Sequence, residues 1–282
     1  MKFSQPDADA FTPDGADRDK ALARTTHLCV AAHQDDVEIM AHAGIAACYG
    51  ADSRFFTGVV ATDGAGSPRS GRYAKFSDAQ MKALRREEQR SAAVLGRYNL
   101  QIQLAHPSSG VKTHGSPGVI SDLGAIFGAC RPDVVYLHNL ADKHDTHVAL
   151  LLRCLEALRA LAPARRPRRV LGCEVWRGLD WLPDADKVAL DASPRPELAD
   201  ALLKVFDSQI GGGKRYDVAT IGRRRANATF QAPHAADASE AVTLAMDLSP
   251  LVADESLSIR DFALAHVERL RADIAGRLDR LA

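Results

Sequence analysis

The sequence lacks a net charge and a long apolar run, and each absence excludes a class of partner. Its 282 residues include 36 basic and 36 acidic side chains. The excess of positive charge that nucleic-acid binding normally requires is therefore missing. No stretch approaches the roughly 18 consecutive apolar residues of a membrane span. We therefore expect neither a nucleic-acid partner nor a membrane partner.

The sequence also lacks a secretory signal and CxxC pairs. Residues 1–20 contain Asp and Lys but no apolar h-region, so we expect residues 1–24 to form a polar N-terminal arm that could be mobile. The cysteines are odd in number, and four of them lie inside apolar runs. We interpret all of them as buried, reduced thiols of a cytoplasmic protein. They are Cys29, Cys48, Cys130, Cys154 and Cys173.

Short apolar runs alternate with helical patterns from residue 25 to residue 282, without an internal repeat. Apolar residues make up 46% of the chain, enough for a sizeable core. This alternation predicts an α/β fold with a mostly parallel sheet covered on both faces. We therefore expect one domain whose C-terminal third contributes to the pocket. The candidate strands are 27–32, 55–61, 100–104, 133–137, 170–175 and 187–190, and the candidate helices are 39–49, 77–95, 117–127, 148–161 and 259–281.

Reactive side chains gather where three candidate strands end. The segments are 33–36, 62–64 and the residues from 138 onward. Ligands of parallel α/β sheets bind at the carboxyl ends of the strands. The three segments therefore indicate a site at one edge of the sheet.

The first of these segments contains four ionisable groups within six residues, at positions 33, 35, 36 and 38. An imidazole and a carboxylate suit zinc, whose catalytic sites use about three protein ligands and a water. Asp35 and Asp36 are adjacent, so one could bind a metal while the other faces its water. Either Asp could instead cap the following helix. A structure that needed only a cap would use one acidic residue, which favours a metal half-site.

The segment after the fourth strand holds a second pair of histidines. His144 and His147 lie at i and i+3 and therefore share one helical face. His147 could supply a third ligand, and His144 could act as a proton donor or oxyanion stabiliser. On its own, such a pair is more typical of a surface or a core. Together with the first segment, it has the composition of an open zinc site.

These motifs are similar to those of a known enzyme family. Residues 32–38 (AHQDDVE) resemble the AHPDDxE motif of the PIG-L/LmbE-like deacetylases, and residues 144–147 (HDTH) resemble that family's HxxH motif. Residues 62–64 (TDG) are similar to its T-x-G turn. The resemblance covers roughly residues 26–150. Two departures are Gln34 in place of the usual Pro and Asp145-Thr146 in place of Pro-Asp.

The resemblance implies a Rossmann-like three-layer fold and zinc-dependent removal of acetyl from an N-acetylglucosaminyl compound. By analogy, His33, Asp36 and His147 hold Zn²⁺ or another divalent metal. Asp35 is the general base for attack of the zinc-bound water, and a protonated His144 assists at the oxyanion or leaving group. The partner implied is a small N-acetylated sugar or glycoside. Oligomerisation is left open, so a homo-oligomer is compatible with the sequence.

Weaker signals concern the pocket wall. Asp63, Gly64 and Arg69 lie on a Gly/Ser/Pro-rich loop and could bind substrate hydroxyls or an anionic group, and Asp142 could line the same pocket. A flexible loop explains the first three equally well. The basic run 223–225 is typical of solvated surface, although it could meet a phosphate. The remaining histidines, including His138, have no partner at ligand spacing, and we interpret them as structural or surface residues.

Three other functions are compatible with parts of the sequence. A nucleotide-dependent oxidoreductase requires a GxGxxG turn after the first strand. That turn contains no glycine here and two acidic residues, which disfavours this function. A non-catalytic sugar-binding protein on the same scaffold would not need Asp35. A hydrolase of the same fold could instead cleave an amide of a thiol conjugate or an antibiotic.

Overall fold

The computed structural model describes residues 1–232 and 234–282. The strands are β1 Asp9–Phe11, β2 His27–Ala31, β3 Phe56–Thr62, β4 Leu100–His106, β5 Val134–His138, β6 Arg169–Cys173, β7 Lys187–Asp191 and β8 Val242–Asp247. The helices are α1 Arg18–Ala23, α2 Asp36–Met40, α3 His42–Cys48, α4 Asp78–Leu95, α5 Ser108–Lys112, α6 Pro117–Ala129, α7 Asp145–Arg159, α8 Pro196–Lys204, α9 Asp207–Ile210, α10 Tyr216–Phe230, α11 Ser249–Ala253 and α12 Ile259–Leu281.

The strands form one mixed sheet with a parallel centre. The 8-stranded order is β1-β4-β3-β2-β5-β6-β8-β7. Strands β2 to β6 pair in parallel, whereas β1, β8 and β7 add antiparallel strands at the two edges. The predicted α/β class with a mostly parallel central sheet is therefore confirmed. Strands β2, β3 and β5 are neighbours, so their carboxyl ends meet at one edge.

Helices cover both faces of this sheet, which makes three layers. In β2, Leu28 and Val30 face one apolar cluster, whereas Cys29 and Ala31 face the other. This alternation follows from the period of two along a strand. Both faces of β2 are apolar because helices cover both sides, which explains its continuous apolar run. The five cysteines are buried and free of disulfides, as predicted.

The N-terminal arm differs from expectation. Residues 1–24 contain β1, which pairs antiparallel with β4, and α1, which buries Ala21 and Leu22 in the core. Asp17 caps α1 by accepting hydrogen bonds from two backbone amides. Although the segment is rich in polar residues, it contains a strand of three residues and an amphipathic helix of about one and a half turns. The segment is therefore part of the sheet structure and not a free arm.

Other boundaries follow local chemistry. Ser77 caps α4 and forms a reciprocal capping box with Gln80. Helix α7 begins at Asp145, three residues before the predicted start, because the His144 side chain caps it. Strand β8 was not predicted. Among the described residues, no helix combines the length and apolar character needed to cross a bilayer.

A buried arginine holds the short helix that follows β2. Helix α2 is only five residues long, so its terminal carbonyls need partners outside the helix. Arg224 of α10 is 3% exposed and donates from Nη2 to the backbone oxygens of Glu38 at 2.7 Å and Ile39 at 3.1 Å. Burial lowers the pKa of Arg224 to about 10. The basic run 223–225 is thus not wholly solvated, because its middle member joins α10 to α2.

Replacing Arg224 by Met should destabilise the fold. The two carbonyls of α2 would lose their donor in a buried setting, at an expected cost of about 1–3 kcal/mol in the free energy of unfolding. Arg225→Met is the matched control, since Arg225 is adjacent and exposed. It should change stability by less than about 0.5 kcal/mol. Chemical denaturation measures both, and equal effects would contradict the assigned role of Arg224.

Candidate active site

A cavity of about 620 Å³ opens at the carboxyl ends of β2, β3 and β5. The segments predicted to converge do meet there: His33, Asp35 and Asp36 follow β2, Thr62 and Gly64 end β3, and His144 follows β5. The floor is the only acidic part of the described lining. The other lining side chains come mainly from α5, the loop after β6, and the segment from α9 to α10. They include Ser108, Lys112, Val175, Trp176, Gln209, Lys214, Tyr216, Thr220 and Arg223.

Three potential ligand atoms form a nearly equilateral triangle on the cavity floor. His33 Nδ1 lies 3.1 Å from His147 Nε2 and 3.2 Å from Asp36 Oδ2, and His147 Nε2 lies 3.2 Å from Asp36 Oδ2. Ligand atoms bound at 2.0–2.1 Å in a tetrahedral zinc site are separated by about 3.3 Å. The two imidazoles and the carboxylate therefore fit a divalent metal such as zinc.

Two further histidines lie close enough to be considered as ligands. His138 Nε2 is 3.8 Å from Asp36 Oδ2, but it already accepts a hydrogen bond of 2.9 Å from the Ala32 amide. Its ring stacks on that of His147 at 3.9 Å. His138 was interpreted as a structural or surface residue, and it is a buried residue that packs directly against the candidate ligand His147. The sequence did not indicate this position, because His138 is the last residue of β5 and has no partner at the spacing of metal ligands.

Burial and the neighbouring charges shift the pKa values of Asp36 and His147 in opposite directions. Burial alone would favour neutral Asp36, but His147 and His33 hold the pKa of its carboxyl well below its usual range. Burial likewise lowers the pKa of His147, but the carboxylates of Asp36 and Asp142 outweigh it and raise that pKa to about 9. A pKa of about 9 favours the protonated form of His147 at neutral pH, with its positive charge beside the carboxylates of Asp36 and Asp142. A divalent metal would replace that proton as the positive charge.

Asp142 lies behind the triangle. Its Oδ1 is 3.5 Å from His147 Nδ1, and its carboxylate accepts hydrogen bonds from the amides of His144 at 2.9 Å and Trp176 at 3.1 Å. A carboxylate in this position orients an imidazole and fixes its tautomer. Asp142 is not among the described residues that line the cavity. In this structure Asp142 approaches the outer nitrogen of His147, and its contact with substrate stays a prediction.

Asp35 stands beside the triangle without belonging to it. Its backbone adopts φ 94°, a left-handed conformation that is uncommon for a residue with a side chain. This turn separates its carboxylate from that of Asp36 and leaves it at the cavity floor. Its Oδ2 is buried and has no hydrogen-bond partner in the described structure. Burial raises the pKa of Asp35 well above its usual range, and Arg85 partly offsets this effect.

Arg85, which the sequence did not single out, supports the turn from α4. Its side chain is fully buried. Its guanidinium donates to the Gln34 carbonyl and, at 3.2 Å, to Ser208 Oγ, and lies 3.6 Å from Asp35 Oδ2. Glu88, one turn later, accepts 2.6 Å and 2.7 Å bonds from Ser208. The only sequence signal was the i, i+3 spacing of Arg85 and Glu88 on one helix face. Exposed ion pairs commonly have the same spacing, so the signal did not distinguish this buried pair.

A hydrogen bond indicates which ring nitrogen of neutral His144 carries the proton. Its Nδ1 accepts a hydrogen bond of 3.2 Å from the Thr146 amide, which makes it the cap of α7. The ring proton of the neutral form therefore lies on Nε2. Burial, together with His33 and His147, lowers the pKa of His144. The expected protonated His144 is thus disfavoured, because an imidazolium would lose the cap, and a neutral ring already offers one N–H donor.

The loop after β3 contributes less than expected. Gly64 lines the cavity at φ 76°, and a Cβ there would approach Gln34 Oε1 to 2.9 Å. Asp63 turns away and pairs with Lys82 at 2.7 Å, and Arg69 pairs with Asp78. Neither Asp63 nor Arg69 belongs to the described lining. Each already has an oppositely charged neighbour, and their contact with substrate stays a prediction.

An aromatic and basic wall faces the floor. Trp176 and Tyr216 meet edge to face at 5.9 Å, and Lys214 Nζ lies 5.2 Å from the Trp176 ring centroid. Arg223 is anchored by a hydrogen bond to the Val175 carbonyl. Lys112 approaches from the other side of the cavity. Apart from the basic run 223–225, the members of this wall come from segments without a motif and could not be predicted from the sequence.

Comparisons with known proteins agree with this geometry. Residues 28–158 match the family model PIG-L, described as GlcNAc-PI de-N-acetylase. No curated protein shows a significant match to the chain. Among solved structures, N,N'-diacetylchitobiose deacetylase from Pyrococcus horikoshii is 16% identical, with a TM-score of 0.62, and the match covers 84% of this chain and 88% of that one.

Two other solved structures show how broadly the fold is used. The A40926 pseudoaglycone deacetylase Dbv21 is 16% identical, with a TM-score of 0.56 and coverage of 80% and 98%. The 4-carboxy-2-hydroxymuconate hydratase GalB from Pseudomonas putida is 18% identical, with a TM-score of 0.61 and coverage of 79% and 96%. At these identities the likeness concerns the fold. The matched residues 28–158, which are 131 of the 282 in the chain, include His33, Asp36 and His147 with Asp35 beside them, and this part of the chain is similar to the PIG-L family.

Proposed function

We propose that this chain is a metal-dependent N-deacetylase, with zinc as the metal, that acts on an N-acetylglucosaminyl-type or related small amide substrate. One observation carries the proposal. His33, Asp36 and His147 converge on a common point, while the carboxylate of Asp35 lies buried beside them with a free oxygen. A purely structural metal site has no use for that extra carboxylate, whereas hydrolysis of an amide needs a base.

The position of each residue indicates its part in the reaction. When bound by the triangle, the metal would lower the pKa of a water and polarise the substrate carbonyl. Asp35 accepts the proton of the attacking water, and its burial beside Arg85 keeps the carboxylate in place. His144 donates its Nε2–H to the oxyanion. Asp35 then returns the proton to the departing amine, so that acetate and a primary amine are the products.

The fold alone does not choose this reaction, since GalB is named as a hydratase on a similar fold. The match to the de-N-acetylase family and the unligated Asp35 favour amide hydrolysis. The antibiotic alternative also remains, because one similar structure is titled as a deacetylase of an antimicrobial reagent. In both cases the bond cleaved is an N-acyl bond, and they differ in what the amine is attached to.

The cavity wall favours a substrate that carries negative charge away from the acetyl group. Lys112, Lys214 and Arg223 reach the cavity from separate segments, and the carboxylates of the described lining are Asp35 and Asp36 on the floor. A phosphate or carboxylate at the wall would therefore meet cations without an acidic neighbour. Trp176, 36% exposed, adds an apolar surface against which a sugar ring can pack.

Asp35→Asn should retain the metal and lose most of the activity. Asn tolerates the positive φ of this position and keeps the volume, but it cannot accept the proton. We expect kcat to fall about 10²–10⁴-fold, as measured by primary-amine release from N-acetylated glycosides. Metal content, measured by elemental analysis, should stay at the wild-type value. Asp145→Asn, an exposed neighbour of the second motif, is the control and should remain active. Full activity of Asp35→Asn would exclude the assigned base.

Removing wall cations should weaken binding of charged substrates selectively. For Lys214→Met and Arg223→Gln, we expect KM for an N-acetylglucosaminide with a phosphate or carboxylate on its aglycone to rise about tenfold or more, with little change in kcat. The uncharged analogue should be unaffected by either variant. Arg225→Gln provides the matched control, because Arg225 is exposed outside the cavity. Equal losses on both substrates would indicate a structural effect and remove the argument for an anion.

A further inference from the structure

The C-terminal helix α12 packs against the body along only one of its faces. Phe262 and His266 form an edge-to-face contact at 5.0 Å, and Trp181 meets His266 at 6.1 Å. Arg269 donates to Asp186 at 2.8 Å. These helix residues are spaced by four and three positions and so share one face. All three lie in the first half of the helix, and its second half extends beyond them.

A second face of α12 is apolar and exposed. Val267, Ile274, Leu278 and Leu281 are 42%, 50%, 64% and 81% exposed, respectively, and Leu270 completes the row. At 100° per residue, Ile274 at the centre of this row lies about 80–140° around the helix from Phe262, His266 and Arg269, whereas Leu270 borders the face that packs on the body. Leu270 is half-buried, and the other four side chains of the row are exposed. Apolar surface arranged in a row on a long helix marks an interaction site rather than scattered exposure.

The spacing of this row identifies a helical partner. Successive positions are separated by 3, 4, 4 and 3 residues. The 3-4-4 spacing from Val267 to Leu278 makes up one 11-residue repeat, which keeps an apolar row on one side of a helix pair with a right-handed supercoil. A single surface helix buried in its own core would show a broader apolar arc. The row therefore suits one narrow contact with another helix.

We propose that the partner is a second copy of this chain and that two α12 helices pair antiparallel about a two-fold axis at Ile274. A two-fold interface requires a surface that is complementary to itself. The row meets this requirement because Leu270 and Leu278 each lie four residues from Ile274, and Val267 and Leu281 each lie seven residues from it. In the antiparallel register, Val267 faces Leu281 of the partner, Leu270 faces Leu278, and Ile274 faces itself.

Charge supports this register. Asp273 and Arg277 lie on the same flank of the row and already pair within one helix at 3.0 Å. In the antiparallel dimer, this flank meets the same flank of the second copy, so Asp273 of one helix lies near Arg277 of the other. The opposite signs favour that contact.

A membrane surface is the less suitable partner. The interfacial helices that bind lipid carry a polar face rich in Lys and Arg. Helix α12 instead mixes five Arg with four acidic residues. An anionic membrane surface would attract the arginines but repel the acidic residues. A second copy of the helix can instead pair with charges of both signs.

Light scattering coupled to size exclusion tests the proposal on the full chain. The wild type should show a concentration-dependent mass approaching twice that of the monomer. Ile274→Glu places two carboxylates together at the axis and should abolish the dimer. Ala272→Glu adds the same charge to the same helix on the opposite, exposed side and should leave the dimer intact. A wild type that is monomeric throughout, or a dimer that survives Ile274→Glu, would overturn the proposal.

Disulfide trapping tests the register, since the native cysteines are buried. Ile274→Cys should cross-link under mild oxidation, and Ala272→Cys should not. Val267→Cys should fail to cross-link with itself, because its two copies would lie about 21 Å apart along the helix axis. A mixture of Val267→Cys with Leu281→Cys should cross-link. Self-cross-linking of Val267→Cys would overturn the antiparallel register. A monomeric wild type that sediments with vesicles containing anionic lipid would show a membrane partner instead.

Discussion

The close approach of three donor atoms from two distant segments is the constraint on which the site depends. Asp36 lies between the imidazoles of His33 and His147, with each pair of ligand atoms 3.1 to 3.2 Å apart. Bringing two imidazoles and a carboxylate out of water is costly unless a charge balances them. The carboxylates of Asp36 and Asp142 raise the pKa of His147, so the triangle favours a positive charge. A divalent metal held by the three donor atoms would supply that charge.

The surrounding structure keeps the donors in that arrangement. The turn at Asp35 is strained, and helix α2 is too short to be stable by itself. Arg85 binds the carbonyl before the turn, and Arg224 binds the carbonyls at the end of the helix. Asp142 lies 3.5 Å from the outer ring nitrogen of His147. The contacts of Arg85 and Arg224 join segments far apart in sequence, so the geometry of the site depends on the whole fold.

The parts of the site that could be predicted from the sequence are those written locally. The segment 33–38 and the pair at 144 and 147 each follow a continuous apolar strand, and the rule for parallel sheets places such ends together. Arg85 and Arg224 could not be predicted, because their partners are backbone carbonyls that only the fold brings near. Asp63 and Arg69 were expected at the cavity wall, but each forms an ion pair with a neighbouring side chain of opposite charge. Strand β1 was missed because three residues give no measurable periodicity.

A crystal structure of the protein with zinc, using anomalous data collected on both sides of the zinc absorption edge, tests the central claim most directly. The geometry predicts one strong peak about 2.0–2.1 Å from His33 Nδ1, Asp36 Oδ2 and His147 Nε2, with Asp35 outside the coordination sphere. A peak coordinated by Asp35 in place of Asp36, or zinc bound only at other residues, would contradict the assignment of both the metal ligands and the base.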